Sequence, residues 1–256
     1  GSAFAAAGFK VSPVLVRLRS RGTLMTNRPM LSAFNTFILH VVTSDGKDLF
    51  VDAADPSGYF NVLPENYLVH SAFDVKGEAS FEWVNLDNLS TNTTYYMVNA
   101  EVSDEGTVSG HLGGKYINVS SYDFKDTFRD YDNEDDLYEQ MEKFIPVDIS
   151  NMTVTGFDDF GDSSTLDFDF EAECETAGDM LIVNPFLFKI LSDAAFTKEV
   201  RKFPVDFSYP EITRYVYTLK IPEGYAVAQL PKNCVYKSSL PSTMSFRVLA
   251  DGSTVR

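Results

Sequence analysis

The chain has 256 residues, of which 44% are hydrophobic and 23% are charged. These values are typical of a globular protein that is long enough for one large or two ordinary domains. The formal net charge of −16 disfavours binding to nucleic acid or to an anionic membrane, because both depend on Lys and Arg side chains. No segment approaches the ~20 apolar residues that a membrane-spanning helix needs.

The first residues, AFAAAGFKVSPVLVRLRS, have the pattern of the end of a helix that runs into a strand. Gly1 and Ser2 resemble the remnant of a removed tag, and no signal-peptide pattern follows them. We therefore expect the natural N-terminus, and any export signal, to lie upstream.

Strand patterns dominate the rest of the chain. TFILHVVT and DLFVDA flank an Asp-Gly turn at residues 45–46, and YYMVNAEV and TVSGHLGGKY flank a similar turn at residues 103–106. LDFDFEAECE and RYVYTLKI alternate apolar and polar residues, which predicts strands with one buried face. YYMVNAEV is also predicted to have one buried face. The predicted inward residues are Tyr96, Val98, Ala100 and Val102, then Leu166, Phe168, Phe170, Ala172 and Cys174, and then Tyr215, Tyr217, Leu219 and Ile221. Half-buried strands of this kind are typical of antiparallel sandwiches.

Apart from the helix end at the start of the chain, helix is predicted only at about residues 119–145, where apolar residues recur at spacings of three and four. We expect two short helices with a break near Tyr131 to Asn133. Asn133 is the expected N-cap of the second helix, because acidic residues follow it, and Pro146 ends that helix.

Two domains are predicted from these patterns. Residues 1–65 form a β-sheet unit, and residues 66–256 form an antiparallel β-sandwich with the helical insertion. The predicted fold class is therefore mainly β (α+β).

The two cysteines, Cys174 and Cys234, each lie in a strand-like segment and have no metal-type spacing. Free thiols that pack as small hydrophobic groups are the favoured interpretation. A disulfide is the alternative in an oxidising compartment. A catalytic thiol is disfavoured because neither cysteine begins a helix or neighbours a histidine.

The predicted hairpin at residues 36–53 carries His40 and Asp52. In a cysteine enzyme, an imidazole takes a proton from the thiol, and a carboxylate orients the imidazole. An odd number of loop residues places His40 and Asp52 on the same face of the hairpin, whereas an even number separates them. The sequence leaves this register open.

The segments FNTFILHVVTSDGKDLFVDAADP, LPENYLV and WVNL resemble the region of bacterial transglutaminase-like proteins that supplies the His and Asp of a papain-like triad. The family's histidine position falls on Thr36, and its aspartate position falls on Asp52. His40 lies four residues further along the strand, roughly 13 Å away at ~3.3 Å per residue, and is only a weak candidate to replace it. Since threonine cannot accept a proton at neutral pH, the resemblance implies a degenerate, non-catalytic site in which Asp52 is structural. It also implies that residues 1–65 are the C-terminal β-half of a transglutaminase-like domain.

The later segments GTVSGHLGGKY, DMLIVNPFLF, EVRKFPVDFSYPEITRYVYTLKIPEGYAVAQLP and SFRV resemble the domain of unknown function that follows this core. The resemblance spans most of residues 70–256. It implies a β-rich accessory domain of exported proteins of Gram-negative bacteria, periplasmic or at the cell surface, to which no known reaction is attached.

Other candidate sites are weaker. The acidic residues of the region 158–171 suggest calcium, but alternating acids on a strand usually form a solvated face; they are Asp158, Asp159, Asp162, Asp167, Asp169 and Glu171. His40, His70 and His111 have no shared spacing for zinc. Arg201 and Asp206 are candidates for a buried pair. We expect no cofactor and no metal.

Three functions remain open at this stage. The first is a non-catalytic structural or interaction module of an exported transglutaminase-like protein, with a protein or peptide as partner. The second is a part of a cysteine protease or transglutaminase whose nucleophile lies upstream. The third is a carbohydrate-binding surface, which an exposed row of aromatic residues on one sheet face would favour.

Overall fold

A computed structural model describes residues 1–28, 30–77, 80–128, 134–157, 160–187, 199–200, 207, 209–238 and 242–256. The predicted helix break at Tyr131 to Asn133, the acids Asp158 and Asp159, and the pair Arg201 and Asp206 lie outside these residues. Within the described residues, no helix has the length and apolar character needed to cross a membrane.

The first sheet has five antiparallel strands in the spatial order β3-β2-β1-β4-β5. The strands are β1 Lys10–Val16, β2 Thr36–Val42, β3 Asp48–Val51, β4 Ala72–Gly77 and β5 Ser80–Val84. A short helix, α1 (Ser2–Ala6), precedes them. The predicted domain boundary after residue 65 stays a prediction, but the strands that complete this sheet extend to Val84.

The two faces of the first sheet have different surroundings. The inner face carries Val14, Val16, Ile38 and Phe50, which pack with residues from the following loops and from residues 119–122 into one core. The outer face carries Leu39, Val41 and Val51, on which Phe4 of α1 packs. Alternation along each strand produces this division, since successive side chains point to opposite faces.

The second sheet has seven strands in the order β15-β16-β12-β6-β7-β9-β8. Its long members are β6 Asn92–Val102, β7 Thr107–Ile117, β8 Asp148–Thr155, β9 Ser163–Glu173 and β12 Glu211–Lys220; β15 Ala250–Asp251 and β16 Thr254–Val255 are short. Two hairpins stand outside both sheets, β10 Glu175–Ala177 with β11 Met180–Ile182, and β13 Cys234–Lys237 with β14 Thr243–Phe246.

Helices α2 (Val119–Thr127) and α3 (Glu134–Phe144) cover the inner face of the second sheet. Phe124, Phe128, Met141 and Ile145 pack there with the predicted inward residues of β6 and β9. The carbonyl oxygen of the Asn92 side chain accepts a hydrogen bond from the first backbone N–H of α2, at 3.0 Å. The start of the helix is therefore fixed to β6.

The mainly β, sandwich-like fold class and both predicted helices are confirmed. One pairing differs from the antiparallel expectation: β12 runs parallel to β6 through ten residue pairs, from Glu211 with Asn92 to Lys220 with Glu101. The inward faces predicted for these strands are nevertheless observed, with Val98 and Leu219 in the core.

Gly110 in β7 is expected to contribute to the stability of the second sheet, because it lies close to the backbone of β6. A Cβ atom at this position would lie 2.5 Å from the carbonyl oxygen of Asn99 and 2.8 Å from the Cα of Ala100, both backbone atoms of β6. We predict that Gly110→Ala lowers the free energy of unfolding by about 2 kcal/mol, measured by urea denaturation. Gly113→Ala in the same strand is the control, because its Cβ meets only the movable Asp167 carboxylate, at 3.0 Å; equal losses would contradict the argument.

Candidate functional site

The two positions to which the sequence resemblance assigns a His and an Asp, Thr36 and Asp52, both lie near the hydroxyl of Tyr67. Thr36 begins β2, and Asp52 directly follows β3. The hydroxyl of Tyr67 lies 3.5 Å from the Thr36 hydroxyl, and the phenol is near enough to the Asp52 carboxylate for that negative charge to raise the pKa of Tyr67. A phenol therefore stands near the aspartate that would orient an imidazole in a triad.

The electrostatics of this cluster favour a neutral phenol. Burial is the main cause that raises the pKa of Tyr67; the contact with Thr36 opposes it, and the nearby negative charge of Asp52 adds to it. The Asp52 carboxylate also accepts a hydrogen bond from the backbone N–H of Ala54, at 3.0 Å. The carboxylate of Asp52 thus serves the turn after β3.

Neighbouring tyrosine–carboxylate pairs tie this region to α2. The hydroxyl of Tyr122 donates to Asp55 at 2.8 Å, and the hydroxyl of Tyr209 donates to Asp123 at 2.5 Å. Burial raises the pKa of Asp123. These contacts join the loop after β3 and the start of β12 to one helix, which is a structural arrangement.

His40 lies elsewhere on the inner face of the first sheet and has different partners. The hairpin loop has five residues, 43–47, so His40 is opposite Phe50 and its ring stacks on that phenyl ring at 4.7 Å. Its Nε2 lies 2.8 Å from Asp48 Oδ1, and its Nδ1 lies 2.6 Å from Asp74 Oδ2. The structure therefore does not bring His40 together with Asp52.

Asp74 is the centre of a buried polar network that sequence analysis missed. Asp74 has no exposed surface. Its carboxylate accepts a hydrogen bond from the Ser12 hydroxyl at 2.5 Å and forms an ion pair with Lys76 at 2.7 Å. Burial alone would raise the pKa of Asp74, but Lys76, Ser12 and His40 together hold it below its ordinary value. The available sequence signal was weak: Ser12, Asp74 and Lys76 are polar positions in otherwise apolar strands.

This network lacks the geometry of a nucleophilic triad. The Ser12 hydroxyl donates to Asp74, and both ring nitrogens of His40 contact carboxylates, so the imidazole has no free nitrogen to take a proton from a nucleophile. The two cysteines are free and half-buried, and burial raises the pKa of Cys174. Both observations oppose an activated nucleophile among the described residues.

The outer face of the second sheet carries the remaining candidates. A shallow groove of 480 Å³ is lined by Tyr95, Met97, Lys115, Asp167 and Arg214 together with neighbouring residues. Asp169 on the same face contacts His111 at 2.9 Å and Asn151 at 2.8 Å. No cluster of metal-ligating side chains is present in the described part of the chain.

Comparison with known proteins reaches only the C-terminal part of the chain. Residues 179–256, less than a third of the chain, match the model of a family described as a domain of unknown function with a solved structure, DUF3858. No curated protein matches the chain. No solved structure matches it. The match supports the predicted domain of unknown function and does not extend to Thr36, Asp52 or His40.

The Asp74 network predicts a specific loss of stability. Asp74→Asn removes the negative charge that Lys76 and His40 contact, so we expect the free energy of unfolding at neutral pH to fall by about 3 kcal/mol. The lowered pKa of Asp74 means that its contribution is present above its ordinary value of 3.8 and is lost as the pH falls through the lower folded value. The difference between wild type and Asp74→Asn should therefore narrow in acid.

Asp48→Asn is the matched control, because Asp48 contacts the same histidine but its side chain is 64% exposed. We expect a smaller loss for this variant, since solvent screens exposed pairs. Urea denaturation between about pH 3 and pH 7 measures both variants. The interpretation fails if the two variants lose the same stability or if the loss caused by Asp74→Asn does not depend on pH.

Proposed function

We propose that this chain is a non-catalytic structural and interaction module of an exported, multi-domain transglutaminase-like protein. The observation that carries the proposal is the Tyr67 hydroxyl, which lies against Thr36 and near the negative charge of Asp52. It places a weak acid and a threonine hydroxyl where a triad needs a proton-accepting imidazole. Export and the transglutaminase-like relationship rest on the sequence resemblance alone and are part of the proposal.

The surroundings of His40 support the same function. The side chain that could replace the missing base has both nitrogens occupied and is 2% exposed. A general base needs one nitrogen within reach of the proton that it removes. His40 instead joins β2 to β3 and β4, which is a structural task.

The first test is a search for turnover. We predict that the purified chain neither transfers a glutamine acyl group to an amine nor cleaves peptides. We expect Thr36→His to be inactive as well, because an imidazole without a neighbouring thiol has no nucleophile to activate. Amine incorporation into a glutamine-containing peptide and release of a fluorogenic peptide group measure the two reactions. Turnover that disappears in Cys174→Ser or Cys234→Ser would contradict the proposal and favour an enzyme.

The second test concerns the structural role of the Tyr67 hydroxyl. We predict that Tyr67→Phe lowers the free energy of unfolding by about 1 kcal/mol, because the half-buried Thr36 hydroxyl loses its partner. Tyr236→Phe is the control, since Tyr236 lies in β13 and its side chain is 64% exposed. Urea denaturation measures both variants. A Tyr67→Phe protein as stable as wild type would show that the contact does not hold this region together.

A further inference from the structure

The outer face of the first sheet carries a cluster of five aromatic side chains, which we call the aromatic patch: Phe34, Phe37, Phe73, Phe81 and Trp83. Strand pairing aligns Phe37, Leu15, Phe73 and Trp83 in one row across four strands. Phe34 contacts Phe73, with ring centres 5.8 Å apart. Phe37 and Phe81 are 59% and 57% exposed, which is high for such side chains.

A helix already occupies the adjoining half of this face. Phe4 of α1 packs on Leu39, Val41 and Val51, which share the face with Phe37 because they alternate along β2 and across to β3. The row from Phe37 to Trp83 spans three strand spacings, about 14 Å, and a helix with its side chains is about 10–12 Å wide. The uncovered half therefore has room for one further helix beside α1.

The segment that supplies Phe34 and Phe37 is basic in an acidic protein. Residues 1–44 contain five of the 21 basic residues and none of the 37 acidic residues. Four of these basic residues are arginines of the β1–β2 connection, which reaches the patch through Phe34. Arg17 holds this connection by donating to the carbonyl oxygens of Gly22 and Ala33, at 3.0 Å each. A partner with carboxylates beside its apolar surface complements this charge.

The arrangement of the rings argues against a sugar ligand. Sugars stack on the flat faces of aromatic rings, but the rings of Phe73 and Phe81 stack on each other at 4.6 Å. Trp83 meets Phe73 edge to face, at 80° between the ring planes. Exposed Phe side chains next to a half-buried Trp and a half-buried Arg, here Trp83 and Arg17, are instead typical of protein interfaces.

We propose that the aromatic patch docks an amphipathic α-helix whose apolar face covers Phe37, Phe73 and Trp83 and whose flank carries carboxylates. This inference deepens the proposed interaction role and rests on it. The helix lies beside α1, so that two helices together cover the outer face of the sheet. Its acidic flank faces the arginine-bearing connection between β1 and β2.

Trp83 provides a direct reporter, because it is the single tryptophan of the chain and lies in the patch. The N-terminus provides a site for a tether, since Gly1 lies against Leu39 on the same face. We would fuse an amphipathic helix of about 18 residues, built of Leu, Ala and Glu, to Gly1 of the full chain through a flexible Gly/Ser linker. Such a linker gives an effective concentration in the millimolar range, so weak docking is detected.

Docking is expected to shift the emission of Trp83 to shorter wavelength and to reduce its quenching by acrylamide. Phe37→Ser should lower the docking constant at least about tenfold, because it removes an apolar anchor without altering the contacts of Trp83. Tyr236→Ser, which removes an equally exposed ring elsewhere, is the control. Replacing Glu by Lys in the fused helix should weaken docking, and added salt should reduce this difference.

Three results would overturn the inference. One is an unchanged Trp83 signal in the fusion protein, and another is the same signal change with a fused helix of scrambled leucines. The third is protection of Trp83 in the unfused chain that grows with protein concentration and is lost in Phe37→Ser, since the occupant is then a second copy. The turnover assays described above are independent of these signals, so failure of the docking model is distinguishable from failure of the proposed function.

Discussion

A carboxylate without contact to solvent is the constraint on which the first sheet depends. Asp74 has no exposed surface, so its charge has to be balanced inside the protein. Its partners Ser12, His40 and Lys76 come from β1, β2 and β4. Removing any of them leaves part of a buried charge uncompensated. The order β2-β1-β4 and the register of these strands are therefore coupled to one ionic centre.

The same ionic centre limits the proton-transfer chemistry that is open to His40. Of the three histidines, His40 is the buried one, whereas the side chains of His70 and His111 are 82% and 50% exposed. Its ring is held between two carboxylates and stacked on Phe50, which suits a fixed strand contact and not proton transfer to a substrate. At the position where the resemblance places a catalytic base, Thr36 instead contacts a phenol. The Asp52 carboxylate, which would orient a base in a triad, instead accepts a hydrogen bond from the loop after β3.

The sequence predicted local features well because local chemistry determines them. The turns at residues 45–46 and 103–106, the inward face of β9 and the two helices follow from turn residues and periodicity. The parallel pairing of β12 with β6 did not, since alternation reveals which side chains are buried but not the direction of a distant strand. Asp74 was missed for a related reason. Asp167 and Asp169 are 45% and 46% exposed on β9, and nothing in their pattern distinguishes such acids from a buried one.

The buried network and the aromatic patch are two consequences of a single register. Side chains alternate between the faces of a strand, so Asp74 points inward because Phe73 points outward, and His40 points inward because Leu39 and Val41 point outward. A slip of one residue would expose the ionic centre and bury the aromatic side chains against polar groups. The register that buries the charge of Asp74 therefore also places the aromatic patch on the solvent-exposed face of the sheet. A partner that binds the patch would stabilise this register from the opposite face of the sheet.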